Sequence, residues 1–282
     1  MRNHWTTILL LAMILSLGGC RQTAGPAGRR EVAGAASPIA VASSYLAVAV
    51  RDVLGEDEPL VTLAEAGMCP GHFDLRPSQA RRLRSCGLLV RFDFQESLDS
   101  RLSEDSARSP RVLAVTVAGG LCEPESYRSV CRQLAEALVR AERLSPDDAK
   151  RRLAAIDKRM DRLGRWTAGE VKNAGMNGTL VLASGHQAAF CRRLGLDVVA
   201  TFSSVDTARP GQVDEAIRAG EAAGARLIVA NAAEGRQLAD ALADRLGAKV
   251  VVFDNFPSGQ GPRAFDALVR RNVTALVEAS EP

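Results

Sequence analysis

The feature that most restricts the fold is an alternation of short apolar runs with amphipathic segments, played out twice along the chain. In the first half, "PIAVASSYLAVAVRDVLG" reads as a strand from Ile39 to Ser43 and a helix closing near Gly55. "EPLVTLAEAG" is a second strand, and "RPSQARRLRSC" a helix capped by Ser78, with Ala80 and Leu83 at helical spacing. "GLLVRFDF" and "SPRVLAVTVAGG" are two more strands, and "EPESYRSVCRQLAEALVRAERL" is an amphipathic helix. The second half repeats the scheme: "GTLVLASG", "LDVVATFSS", "ARLIVANA" and "AKVVVFDNF" are strands with helices between them, and "RAFDALVRRNVTALVEA" is a final helix. Apolar strands that alternate with helices require crossover connections and hence a parallel sheet.

The segment between the halves, "SPDDAKRRLAAIDKRMDRLGRWTAGEVKNAG", has one period throughout. Leu153, Ile156, Met160 and Leu163 recur at helical steps, Pro146 stands at a first helical position behind a Ser145 cap, and Gly175 and Gly178 end the run. A helix this long exceeds what the surface of one compact lobe needs. The expected fold is therefore α/β: two parallel-sheet lobes, residues 38–145 and 176–282, joined by a long interlobe helix over 146–175, with a ligand cleft between them. Ligands of open α/β sheets sit beyond the C-terminal ends of the strands, which would line that cleft.

Before the first lobe, "MRNHWTTILLLAMILSLGGC" has a basic start, an apolar run from Ile8 to Leu17 and the sequence Gly-Gly-Cys. The run is short for a bilayer span and reads as a signal peptide, residues 1–19. Leu17-Gly18-Gly19-Cys20 resembles a bacterial lipobox, which makes Cys20 the expected acylation site and residues 20–37, rich in Gly, Ala, Pro and Arg, a flexible tether. The mature protein is then anchored to a membrane through lipid, facing the periplasm. With Cys20 acylated, five of the six cysteines remain, an odd number in an oxidising compartment.

The net charge of +3 on 282 residues gives no dedicated nucleic-acid surface. No nucleophile elbow and no Gly-x-Gly-x-x-Gly are present, and a Cys69–His72 thiol site would need a reduced cysteine, so the chain does not read as an enzyme.

Only three histidines are present, and His4 lies in the leader. His72 follows the strand "LVTLAEAG" in a Gly/Pro turn, and His186 follows "TLVLASG". Asp254 follows "KVVVF". Two imidazoles and a carboxylate at strand ends supply the neutral nitrogens and anionic oxygen that a transition-metal site needs.

The order of these motifs resembles the metal-binding proteins of bacterial zinc/manganese ABC importers, from about Ile39 to Ala279. The motifs are "IAVASSYLAVAVRDVLG", "PGHFDLRPS", "GLLVRFDFQES", "VLASGHQAAFCRRLGLDVV", "VVVFDN" and "VRRNVTAL". The resemblance implies a monomeric solute-binding lipoprotein that captures a divalent transition metal, zinc in preference to manganese, and delivers it to an ABC permease. It also implies His72, His186 and Asp254 as ligands.

The chain departs from the family at two ligands. The second histidine falls near Gly119 in "AGGLCEPES", where the nearest donor is Cys122, and the C-lobe glutamate falls near Asn231 in "LIVANAAEG". The His-rich loop of many zinc-type members is missing. Cys69, in a Cys-x-x-His spacing with His72, and Cys122 are candidates to complete a four-coordinate shell. A Cys69–Cys122 disulfide and two uninvolved thiols are the other readings. Cys86, Cys131 and Cys191 read as core residues. These departures also leave room for a degenerate envelope lipoprotein that binds no metal and has a sensor or interaction role.

Overall fold

Ser43 sets up the first βα unit. Strand β1 (Ile39–Val41) is wholly buried, and the Ser43 side chain then accepts the Leu46 N–H at 3.3 Å and starts α1 (Ser44–Leu54). The helix ends where Gly55 takes φ 129°, as the sequence suggests. The computed structural model describes residues 37–64, 76–100, 109–259 and 261–280. Cys20, the leader, most of the tether, Cys69 and His72 lie outside the described residues.

The first half continues with β2 (Leu60–Thr62), α2 (Pro77–Arg84), β3 (Leu88–Phe92), the short α3 (Ser97–Ser100), β4 (Arg111–Val115) and α4 (Pro124–Arg140). Ser78 does not cap α2. The N-cap is Arg76, because Pro77, with no N–H and a preset φ, takes the first helical position. Gln79 accepts the Arg76 N–H at 2.9 Å and donates to the Leu63 carbonyl at 2.6 Å, pinning the helix to the end of β2.

Helix α5 (Pro146–Asn173) runs 28 residues, about 40 Å at 1.5 Å per residue. Ser145 caps it, accepting the Asp148 N–H at 3.1 Å, and Asp147 and Asp148 place negative charge on the positive end of the helix dipole. The second half follows as β5 (Leu180–Ser184), α6 (Ala188–Arg193), β6 (Asp197–Phe202), α7 (Pro210–Ala223), β7 (Leu227–Asn231), α8 (Gln237–Leu246), β8 (Lys249–Phe253) and α9 (Ala264–Ser280).

Each half forms its own four-stranded parallel sheet, ordered β2-β1-β3-β4 and β6-β5-β7-β8. The two orders are the same permutation. Each has its switch point between its first and third strands, the place where a parallel sheet opens a crevice at its C-terminal edge.

Three layers of apolar burial hold this arrangement. A core joining α1, α4, α5 and α9 to one face of each sheet runs through both halves. The other faces are covered separately, by α2 with β1 and β3, and by α7 and α8 with β5 and β7. Helix α5 presents Ala149, Ile156, Met160, Leu163, Thr167 and Val171 to the shared core and packs on α1 and α4 of the first half and α9 of the second. Tyr45, Tyr127 and Phe265 lock α1, α4 and α9 together. The Tyr127 and Phe265 rings stack at 4.0 Å, and all three are fully buried.

A buried polar group lies against this aromatic cluster. Asp52 accepts from Tyr127 Oη at 2.5 Å and from both terminal nitrogens of Arg159, whose Nε faces Asp266 at 3.1 Å. Charges removed from water persist only when paired, and here the pairing fixes α1, α4, α5 and α9 in one register.

Candidate metal centre

The site grows from the switch point of the second sheet. Strand β5 ends in Ser184, fully buried, and the chain turns through Gly185 and His186 into α6. Strand β7 ends in Asn231 and enters a 3₁₀ turn, Ala232–Glu234. The β5–β7 pairing sets Ala183 opposite Val229, so both turns emerge at the same edge. The Ser184 hydroxyl donates to Glu234 Oε2 and accepts the His186 N–H at 3.3 Å. The other carboxylate oxygen, Oε1, stands 3.4 Å from His186 Nε2. The imidazole is 62 % exposed and Glu234 only 15 %, so a fixed, sheltered carboxylate stands beside an open imidazole.

Gln187 knits the strand ends together. It is fully buried, and its amide nitrogen donates to Asn231 Oδ1 and Asn255 Oδ1, both at 3.1 Å. The residue after His186 is thereby bonded to the last residue of β7 and to the residue after Asp254. The Gln187 Oε1 atom is buried with no hydrogen-bond donor among the described residues.

Asp254 is half-buried just beyond β8, and its Oδ1 accepts the Phe256 N–H at 3.0 Å. Its backbone is clamped: its N–H donates to Asn272 Oδ1 at 3.0 Å, and its carbonyl accepts from Asn272 Nδ2 at 2.8 Å. Cys122 arrives from the loop between β4 and α4 and is a fully buried free thiol. Its Sγ donates to the Asp254 carbonyl at 3.0 Å and lies 3.4 Å from Asn255 Oδ1. Burial, with the Asp254 charge next, pushes this thiol far above its ordinary range and keeps it protonated.

The stretch that aligns with the missing histidine has its own geometry. Gly119 takes φ +94°, and a Cβ there would meet Glu123 Oε2 at 3.0 Å. Glu123 Oε1 accepts the Gly120 N–H at 2.8 Å, and Gly120 lies against the backbone of Phe190 on α6. This loop is shaped for close contact with the second half, and a side chain at Gly119 meets left-handed strain there. Cys86, Cys131 and Cys191 are buried free thiols, in keeping with their reading as core residues.

The structure thus brings His186 beside Glu234, and Asp254 beside Cys122, and ties the two pairs through Gln187. Among the described residues, no group of three or more His, Cys, Asp or Glu is close enough to hold a metal ion. Glu234, the carboxylate that meets His186, is the residue of this candidate site that sequence reasoning did not single out. The glutamate expected near Asn231 stands three residues later, in the turn "AAEG". The available signal was that an acidic residue following a buried apolar strand in such a turn faces the ligand edge.

Two parallel-sheet halves, a continuous helix packed on both and strand-end donors at one edge describe a solute-binding protein of the rigid-helix kind. A family model, "Zinc-uptake complex component A periplasmic" (ZnuA), matches residues 39–279, and the chain belongs to this family of periplasmic metal-binding components of ABC importers. Several solved structures share the fold. The laminin-binding protein Lmb of Streptococcus agalactiae, described as having adhesin and metal-transporting activity, is 14% identical with a TM-score of 0.70 over 87% of this chain and 100% of its own. The solute-binding protein FpvC of Pseudomonas aeruginosa, in complex with Mn2+, is 15% identical with a TM-score of 0.71 over 86% and 98%. A ZnuA deletion variant with zinc bound is 13% identical with a TM-score of 0.69 over 88% and 99%. No curated protein matches the chain in sequence. Among the described residues no helix is long and apolar enough to cross a membrane.

Proposed function

We propose that the protein captures zinc outside the cytoplasm and hands it to an ABC permease, as a monomer tethered through acylated Cys20. The observation that carries this reading is the His186 Nε2–Glu234 Oε1 separation of 3.4 Å. An imidazole nitrogen and a carboxylate oxygen that meet at one sheet edge are two of the donor types that zinc takes. Ser184 supplies the outer hydrogen bond that orients the carboxylate, a common support for metal ligands.

In this reading His186 and Glu234 form one half of the shell. His72 and Asp254 make up the four donors, with Asp254 moving in toward the ion, since among the described residues it does not already share a metal-sized space with His186 and Glu234; Cys69, three residues before His72 in the sequence, is the alternative fourth donor. Cys122 acts as a buried prop beneath Asp254, since its Sγ is already engaged with the Asp254 carbonyl. Binding weakens in acid because protonated imidazoles and carboxylic acids do not ligate. No step of this function makes or breaks a covalent bond, so the protein works as a carrier and not as an enzyme.

Zinc and manganese titrations of the wild type and of His72→Ala, His186→Ala and Glu234→Ala test the reading. One zinc per chain is expected, bound more tightly than manganese, with affinity falling at least ~10-fold in each variant. Wild-type affinity in all three refutes the placement, and a chain that purifies and titrates without metal supports the degenerate lipoprotein instead. Loss of membrane association in Cys20→Ser tests the anchor, and unchanged fractionation refutes it.

A further inference from the structure

A second concave site lies between α5 and α9 and shares no residue with the metal centre. Arg159 and Arg162 from α5, and Arg263, Asp266 and Arg270 on or beside α9, line a cavity of about 360 Å³. That volume falls in the range of small-molecule sites. Arg159 is held by Asp52 and Asp266 and is 17 % exposed on its side chain. The Nε of Arg159 and Oδ1 of Asp266 are buried without a completed hydrogen bond, although they stand 3.1 Å apart.

The charges do not balance. Arg159 between two carboxylates leaves one negative charge, and Arg162, Arg263 and Arg270 make no ion pair among the described residues, although Arg270 acts on Asp266 through space. The local sum is therefore about two positive charges gathered around one concavity, with Arg162, Arg263 and Arg270 exposed at its rim and Arg159 sheltered within it. Arg270 is also oriented: its guanidinium carbon lies 4.2 Å from the centroid of the Trp166 ring.

Three guanidiniums offer more N–H donors than the two oxygens of a carboxylate can accept, whereas a phosphate group presents three or four acceptor oxygens. Planar guanidinium forks also match phosphate geometry two bonds at a time. We propose that the α5–α9 cavity is a phosphate-binding site that takes the phosphate ester of a small molecule or of a phospholipid headgroup.

The test uses the full chain with Cys20→Ser, with and without Arg162→Gln/Arg263→Gln. Both arginines are exposed and lie outside the metal centre and the core. Inorganic phosphate and glycerol 3-phosphate are titrated by calorimetry. Phosphatidylglycerol vesicles are compared with phosphatidylcholine vesicles by co-sedimentation. Binding of a soluble phosphate identifies a free ester. Binding only to phosphatidylglycerol vesicles identifies a headgroup. Either supports the site if the double variant weakens it at least ~10-fold with zinc affinity unchanged, and if added salt weakens it in the wild type. Arg270→Lys, which keeps the charge and removes the fork, is expected to weaken binding as well. The proposal is overturned if no probe binds, or if the double variant binds as well as the wild type.

Discussion

Replacing Gln187 by Leu probes how the strand ends are held at the metal centre. The side chain is fully buried and nearly matched in volume by leucine, so no large cavity opens. Two hydrogen bonds are lost, to Asn231 Oδ1 and Asn255 Oδ1. Asn231 Oδ1 and Asn255 Oδ1, each on a residue 3 % exposed, are both left short of a donor, since the single Cys122 S–H is spent on the Asp254 carbonyl. Each acceptor stranded in the interior costs ~1–3 kcal/mol. The variant also removes Gln187 Oε1, itself buried without a donor, which returns part of that cost. The net loss of stability is therefore about 2 kcal/mol. On the proposed zinc site the effect is larger than this suggests, because the lost bonds join the turn carrying His186 to the segments before Glu234 and after Asp254. Loss of such outer support lowers metal affinity by ~10–100-fold. Urea unfolding and a competitive zinc titration on the same preparation read the two quantities separately. A folded variant that binds zinc within twofold of the wild type would refute the argument that Gln187 sets the ligand spacing.

Three further outcomes follow from the geometry. Cys122, fully buried with its thiol on the Asp254 carbonyl, is expected to resist iodoacetamide in the native protein with or without chelator; exposure on chelation alone would instead make it a metal ligand. Asp52→Ala strips Arg159 and Tyr127 of their shared acceptor and is expected to cost ~3–5 kcal/mol in urea unfolding, against ~1.5–3 kcal/mol for Tyr127→Phe; a cost below ~1 kcal/mol for Asp52→Ala would show that the buried charges are not load-sharing. Burial pushes the Cys191 thiol from 9.0 up to about 12, so between those values the fold retains a proton that the unfolded chain releases, and stability falls as pH rises through the window. The slope is ~1.4 kcal/mol per pH unit for this thiol, and a Cys191→Ala variant with the same alkaline slope as the wild type would disprove it.

Much of the architecture is written in local chemistry. Ser145 and Pro146 mark the start of α5 whatever the helix packs against, because a cap and a preset φ act within one turn. The apolar runs that become β5, β7 and β8 are legible because strands buried in a parallel sheet must be continuously hydrophobic. The same local rules misassign Ser78, where two neighbouring residues compete to open a helix and proline wins. The places of His186 and Asp254 just beyond strand ends were legible, since a polar residue after such a run must emerge at the sheet edge.

What the sequence determined by itself was therefore the element order, the two halves, the long helix between them and the family. The tertiary structure decided which donors meet. Glu234 faces His186 only because the β5–β7 register brings two turns to one edge, although the residues are 48 apart in the chain. Cys122 meets the Asp254 carbonyl because its loop packs across onto the second half. Arg159, one of many arginines in the sequence, becomes the centre of a buried charge group because α1 and α9 deliver Asp52 and Asp266 to it. Capping and periodicity are interactions of near neighbours and can be read from composition and spacing. Side-chain pairing across the fold depends on strand register and helix packing, which exist only once the core has closed.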